Sequence, residues 1–240
     1  MLLKPGKDVR KPESYRPITL LSTLSKLFER VLLKHVTLYT KPREEQFGFR
    51  AENSTTLQIT RMVNEMAVSH NKKEYVAAVL LDMEKAFDRV WHEGLLYKMI
   101  KTEMPLQIIK ILAAFLTNRR FLVCVEDCQS SVRPVRAGVP QGSCLSPHCY
   151  AWYTDDIPVV GQAKLALYAD DAAFYASSYR SEFTVKRLQP TLEALPEWLK
   201  KWRLVVNVTK TQAIFTGNTK LPSPLKLMSE ELPWRLDVKY

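Results

Sequence analysis

Two short apolar runs, Leu165-Ala166-Leu167-Tyr168 and Ala172-Ala173-Phe174-Tyr175, are separated only by Ala169-Asp170-Asp171. Apolar strand, tight turn and apolar strand is the pattern of a β-hairpin, with Asp170 and Asp171 at its tip. Adjacent carboxylates repel, so a half-buried turn seldom carries two of them without a cation. Taken alone, such a pair is most often a solvated Asp-Asp turn. A second stretch far upstream changes the balance. Val76-Ala77-Ala78-Val79-Leu80-Leu81 is apolar without alternation, as in a strand buried on both faces. Asp82 stands at its end, where a side chain leaves the sheet and meets solvent or ligand. Side by side, two strands ending in carboxylates form an oxygen-rich site that suits Mg²⁺. Two such ions clamping one phosphate are the usual machinery of in-line phosphoryl and nucleotidyl transfer.

The rest of the chain is compatible with such chemistry. Its 240 residues allow one large domain or two small subdomains, and 46% apolar residues are enough for a substantial core. The formal charge of +10 points to a polyanionic partner such as nucleic acid, or to a merely basic protein. No apolar run approaches the ~20 residues of a membrane span, and Met1-Leu2-Leu3-Lys4-Pro5 is too short and too soon interrupted to be a signal peptide. Cys124, Cys128, Cys144 and Cys149 match zinc spacing only loosely and read as reduced, partly buried thiols.

Periodicity outlines the elements. After a basic, Pro-punctuated start, Leu24, Leu27, Phe28, Val31 and Leu32 mark the apolar face of a helix, with Lys26, Glu29, Arg30 and Lys34 opposite. Ser54-Thr55-Thr56 offers an N-cap to a second helix carrying Leu57, Ile59, Met62, Val63 and Met66. Residues 94–115 are helical in pattern with a break near Pro105. Phe121-Leu122-Val123-Cys124-Val125 opens an extended hairpin that continues over residues 131–136. Residues 138–147 are a flexible loop leading into a helix. Gly138 and Gly142 allow close backbone approach to a ligand, Gln141 can hydrogen-bond in both directions, and Ser143 and Ser146 can cap that helix. Val185, Leu188, Leu192, Leu195, Leu199 and Trp202 line one face of a further helix, but Pro190 and Pro196 fall inside it. An interior proline costs ~3 kcal/mol, so two pieces or a kink are expected.

Several of these stretches resemble one family. Tyr168-Ala169-Asp170-Asp171 is similar to the aromatic-x-Asp-Asp box of reverse transcriptases. Leu81-Asp82-Met83-Glu84-Lys85-Ala86-Phe87-Asp88-Arg89-Val90-Trp91-His92 resembles the first catalytic motif of reverse transcriptases from non-LTR, LINE-type retrotransposons, the jockey-like group above all. Gly138-Val139-Pro140-Gln141-Gly142-Ser143-Cys144-Leu145-Ser146-Pro147 matches the motif between them, and Gln46-Phe47-Gly48-Phe49-Arg50 and the stretch from Trp202 to Thr211 match two more. The motifs occur in the family's order over nearly the whole chain.

The resemblance implies an α+β fold: a right-hand polymerase palm, with a small antiparallel sheet backed by helices, plus fingers. It implies a single reverse transcriptase domain over residues 1–240, with fingers mainly in 1–75 and palm mainly in 76–240. The family normally extends further at both ends, often with an endonuclease domain before and with a primer grip and thumb after. The chain therefore reads as truncated, with the thumb missing. The implied function is RNA-directed DNA synthesis on an RNA template from a DNA primer, with dNTP substrates and two Mg²⁺ ions, or Mn²⁺, held by Asp82, Asp170 and Asp171. Lys210 would protonate the leaving pyrophosphate. Phe87 would be the steric gate that favours dNTPs, unless it is a core residue. Gln141, Gly142 and Arg16 would meet the nucleotide, Arg16 being otherwise a surface arginine. Arg50 and Arg61 are template-backbone candidates, since Arg pairs well with phosphate, or else solvated charges. Asp88 reads as structural. A nuclear location is expected if the protein acts by target-primed integration. Two alternatives stand beside this: an inactive remnant that at most binds nucleic acid, and a two-metal nuclease or phosphatase, against which Phe87 and the 138–147 loop argue.

Overall fold

The structure is a computed structural model that describes residues 2–235 apart from Lys4, Lys7, Pro12, Glu13, Pro17, Glu126, Asp127, Asn218 and Thr219. In chain order its first elements are β1 (Leu2–Leu3), β2 (Tyr15–Arg16), α1 (Thr23–Val36), α2 (Thr55–Asn71), β3 (Tyr75–Leu81), α3 (His92–Ile100) and α4 (Leu106–Leu116). Next come β4 (Arg120–Phe121), β5 (Cys124–Val125), β6 (Cys128–Gln129), β7 (Arg133–Pro134), α5 (Ser146–Tyr153), β8 (Lys164–Tyr168) and β9 (Asp171–Ser178). The last are α6 (Ser181–Trp202), β10 (Gln212–Thr216), β11 (Leu225–Leu227), β12 (Glu230–Leu232) and β13 (Trp234–Arg235). They gather into two compact units. One holds residues 1–41 and 87–153, the other 42–86 and 154–240.

The second unit is built on a sheet of order β13-β10-β3-β9-β8. β3 takes the centre because its uninterrupted apolar run can be buried on both faces, and Val76 to Leu81 are all buried. It pairs antiparallel with β9 on one side and with β10 on the other, and the edge strand β13 runs parallel to β10. On one face Ala78, Leu80, Ala166, Ala173 and Tyr175 form a core with Met62 and Met66 of α2. Residues of the other parity, such as Ala77, Val79, Phe174 and Ala213, are buried as well, and α6 packs against β3 and β9. α6 corrects the sequence reading. It runs unbroken from Ser181 to Trp202 through Pro190 and Pro196, because Leu188, Leu192, Leu195 and Leu199 are buried along its whole length.

The first unit contains α1, α3, α4, α5 and a ribbon of two short ladders, β4 with β7 and β5 with β6. The break near Pro105 falls between α3 and α4, as the periodicity implied. α1 follows its pattern only in part, since Leu32 of the expected apolar stripe is buried and Lys26, Arg30 and Lys34 are exposed. Leu24, Leu27, Phe28 and Val31 are exposed, whereas Leu32, Val36 and Glu29 are buried. α2 likewise buries Met62 together with the polar Gln58 and leaves Leu57 and Val63 exposed. Both helices begin where a serine caps them: Ser22 Oγ accepts from the Ser25 N–H and Ser54 Oγ from the Leu57 N–H. Among the described residues no helix is long and apolar enough to cross a membrane.

Candidate active site

The end of β3 is fixed by backbone pairing. The Asp82 carbonyl accepts from the Asn207 N–H at 2.8 Å, and the Glu84 N–H donates to the Val205 carbonyl at 2.8 Å. Met83 bridges Val206 antiparallel, and Thr211 Oγ1 accepts from the Asp82 N–H at 3.4 Å. Asn207 folds the segment back on itself, because its Oδ1 accepts from the Lys210 N–H at 3.2 Å and the Thr209 hydroxyl at 2.7 Å. Lys210 is thereby returned to β3, and its Nζ stands 4.0 Å from Asp82 Oδ2. This exposed pair contributes little to stability; its consequence is a mobile ammonium beside the first carboxylate.

β8 and β9 form the expected hairpin, with Tyr168 paired to Asp171. The tip is therefore Ala169 and Asp170, and Asp171 is the first residue of β9. Ala169 is left-handed, with φ +58°, a region disfavoured for a residue with a Cβ. Gln46, itself buried, stabilises it. Gln46 Oε1 accepts from the Ala169 N–H at 3.0 Å and the Gly48 N–H at 2.8 Å, and its Nε2 donates to the Ala169 carbonyl at 3.3 Å. Gly48 lies so close that a Cβ there would stand 2.1 Å from the Ala169 nitrogen. Residues 45–47 run beside β8, with Leu167 exchanging hydrogen bonds with Glu45 and Phe47. Gln58 reaches the same place, its Nε2 donating to the carbonyls of Glu45 and Leu167, both at 3.1 Å.

Sheet register brings the carboxylates together. The last pair of β3 and β9 is Leu81 with Ala172. One step further sets Asp82 opposite Asp171, on the face that carries Leu80 and Ala173. Asp82, Asp171, Thr209, Lys210 and Gln212 line one cavity of about 360 Å³. Burial first, and then the charges of Asp170 and Asp82, together push the Asp171 carboxyl up to about 6. Mutual repulsion of three acids is the electrostatic signature of a site that gains from a cation. Among the described residues no group of three or more His, Cys, Asp or Glu side chains is already closed around a metal position.

The first unit carries the other expected contacts. Phe87 stacks on the buried Tyr150, with centroids 4.8 Å apart and planes at 24°. Its carbonyl accepts from the Val139 N–H at 2.9 Å. Gln141 Nε2 donates to Asp88 Oδ1 at 3.2 Å. Gly138 and Gly142 have φ +89° and +106°, and a Cβ on Gly138 would meet the Asp88 backbone at 2.8 Å. Ser143 Oγ accepts from the N–H groups of Leu145 and Ser146 and so caps α5, whereas the Ser146 hydroxyl makes no such bond. The Arg16 backbone pairs with Leu2, and its side chain lies outside what the structure describes.

The two template candidates are both engaged inside the second unit. Arg50 Nη1 donates to the carbonyls of Arg43 and Gln46 at 3.2 and 3.3 Å, and Arg61 lies over the Phe47 ring at 5.5 Å. Gln46, Gly48 and Gln58 are site-supporting residues to which the sequence reading gave no role. The signal for the first two was present in the Gln-Phe-Gly-Phe-Arg stretch.

Known proteins resemble the chain in sequence and in fold. The family model for reverse transcriptase (RNA-dependent DNA polymerase) matches residues 3–240. The probable RNA-directed DNA polymerase from transposon BS of Drosophila melanogaster is 41% identical over 255 residues, covering 100% of this chain and 28% of the relative. The RNA-directed DNA polymerase from mobile element jockey of Drosophila funebris is 39% identical over 222 residues, covering 88% of this chain and 24% of the relative. The chain thus spans about a quarter of the length of these curated relatives. Among solved structures, apo telomerase from Candida tropicalis truncated from its C-terminal domain matches with a TM-score of 0.54 at 16% identity, covering 86% of this chain and 42% of that one. Telomerase from the same organism in complex with the TWJ fragment of telomeric RNA matches with a TM-score of 0.55 at 16% identity, covering 87% and 36%.

Proposed function

The chain belongs to the reverse transcriptase (RNA-dependent DNA polymerase) family, and we propose that it carries the DNA-synthesis centre of a mobile element's polymerase. The observation behind this reading is the sheet register that sets Asp82 opposite Asp171 beside the Asp170 turn. In the reaction, a primer 3′-hydroxyl attacks the α-phosphate of a dNTP, one P–O bond forms, and pyrophosphate leaves. Asp82, Asp170 and Asp171 are the residues that would hold divalent cations, Mg²⁺ or Mn²⁺, whose contribution when bound is to stabilise charge on the attacking and leaving oxygens.

The chain's own groups do the rest. Lys210 is a flexible ammonium at the rim of the same cavity and can deliver a proton to the departing pyrophosphate. Phe87, braced by Tyr150, serves as the sugar gate, and Gln141 and Gly142 present a side-chain amide and a glycine backbone to the nucleotide or template. Arg16 serves the triphosphate. Arg50 and Arg61 retain free guanidinium donors for an RNA template's phosphates. The net charge of +10 fits a nucleic-acid partner.

The test is extension of a DNA primer on an RNA template with Mg²⁺ and dNTPs. Extension that disappears in Asp82→Asn and Asp170→Asn is expected, with both variants folded. No product from the wild-type chain would leave the inactive-remnant reading, and cleavage of the template or primer would favour a nuclease.

A further inference from the structure

Glu29 sits where the α1 pattern calls for a solvated side chain, yet it is 1% exposed. Its Oε2 accepts two hydrogen bonds, from the Ser143 hydroxyl at 2.8 Å and from the Cys144 N–H at 2.7 Å. Ser143 Oγ then accepts from the N–H groups of Leu145 and Ser146, at 3.1 and 3.3 Å. One buried carboxylate therefore holds the start of α5 and the end of the loop that presents Gln141. That loop has two further anchors. The Gln141 carbonyl accepts from the Thr19 N–H at 2.9 Å, and its side chain donates to Asp88.

A buried carboxylate is costly unless it does something that an apolar residue could not. An apolar side chain would serve α1 better, since Leu32 and Val36 already pack on that side. Glu29 Oε1 is also buried and makes no hydrogen bond. The carboxylate is thus placed for the two donors of the loop rather than for its own solvation. Cys149, the buried thiol nearby, is pushed up to about 12 by burial and then by Glu29, so it remains a neutral neighbour.

We propose that Glu29 is a positioning residue for nucleotide selection, holding residues 141–146 so that Gln141 and Gly142 address the incoming nucleotide or its template partner. This rests on the reading of residues 138–147 given above. Removing the carboxylate takes the acceptor from the buried Ser143 hydroxyl and the half-buried Cys144 N–H, which frees the loop. Glutamine keeps one carbonyl oxygen for both donors and should preserve it.

The experiment combines single-nucleotide extension kinetics with amide hydrogen exchange on the same proteins. In Glu29→Ala the KM for dNTP should rise about tenfold while kcat changes far less, the loss expected for hydrogen bonds to a charged group. Exchange at Cys144, Leu145 and Ser146 should accelerate by a similar factor. Glu29→Gln should restore both. Val36→Ala, at a buried α1 residue seven positions from Glu29, should lower stability and leave KM unchanged. Should Glu29→Ala fail to fold, Ser143→Ala removes one of the two donors and should raise KM in the same sense.

Unchanged exchange in Glu29→Ala, or a KM rise in Val36→Ala equal to that in Glu29→Ala, would overturn the proposal. So would fast exchange with unaltered KM, since the loop would then be held by Glu29 without serving the nucleotide. A wild-type chain that makes no product would count against the polymerase reading instead. The exchange measurement would still decide whether Glu29 holds the loop.

Discussion

Gln46 grips Ala169 from both sides, accepting its N–H at 3.0 Å and donating to its carbonyl at 3.3 Å. A left-handed alanine beside two acids is thereby held by a residue 123 positions away. Gln46→Ala would take these partners from three backbone groups, the buried Gly48 N–H and both polar groups of the half-buried Ala169. Desolvation of those groups sets the expected loss at about 2–4 kcal/mol, together with loss of DNA synthesis. Denaturant midpoints and primer extension check this. Gly48→Ala should be at least as damaging, because its Cβ would overlap the Ala169 nitrogen. Wild-type stability in Gln46→Ala would show that the turn holds itself.

Asp171 should make stability and activity respond to pH in opposite directions. Its carboxyl is raised from 3.8 to about 6 by burial first and then by Asp170 and Asp82. Between those values the folded chain binds the proton more tightly than the unfolded one. The group's favourable contribution is therefore complete at about pH 4 and is lost as pH rises through 6. Asp171→Asn should stabilise the metal-free protein at pH 7.5 by about 1 kcal/mol, the shift being discounted because this side chain is solvent-screened. At pH 4 the gain should vanish. If Asp171 holds a cation as proposed, DNA synthesis should rise through pH 6 as the carboxyl ionises. Melting curves of both proteins at the two pH values, without divalent ions, decide the matter. An equal shift at both pH values would assign the effect to packing instead.

Phe87 is partly exposed and rests on Tyr150, so its ring has a fixed support. Phe87→Val should raise the ratio of rNTP to dNTP incorporation by about tenfold, within the range that pocket shape alone can supply. Single-nucleotide extension with matched dNTP and rNTP measures it. An unchanged ratio would make Phe87 a packing residue for Tyr150.

The features legible in the sequence and those hidden in it differ in kind. The β3 run and the β8–β9 hairpin are local patterns, and each places an acid at a strand end without reference to the rest of the chain. The register that sets Asp82 opposite Asp171 is settled once those strands pair. Hidden were the polar residues that enter the interior. Glu29, Gln46 and Gln58 are buried because their partners Cys144, Ala169 and Leu167 lie 115, 123 and 109 positions away. No periodicity window spans such distances. The same gap affects α1, where Leu24, Leu27, Phe28 and Val31 of the periodic stripe are exposed and only Leu32 of it is buried.

The two prolines of α6 give a final test of local against tertiary preference. Each removes a backbone donor and costs about 3 kcal/mol in a helix interior. The helix nonetheless continues through both. Leu188, Leu192, Leu195 and Leu199 recur every three or four residues across them, each almost wholly buried. At about 1.5–3 kcal/mol per buried leucine, this stripe outweighs the local penalty, and a break at either proline would expose part of it. Pro190 is exposed and makes no packing contribution that alanine would forfeit. Pro190→Ala should therefore raise stability, by about 1–3 kcal/mol once the entropy the ring removes from the unfolded chain is subtracted. Pro196 is half-buried, so its replacement should gain less. Thermal and denaturant unfolding of both variants measures this. A fall in stability for Pro190→Ala would mean that the ring's effect on the unfolded chain exceeds its cost in the helix.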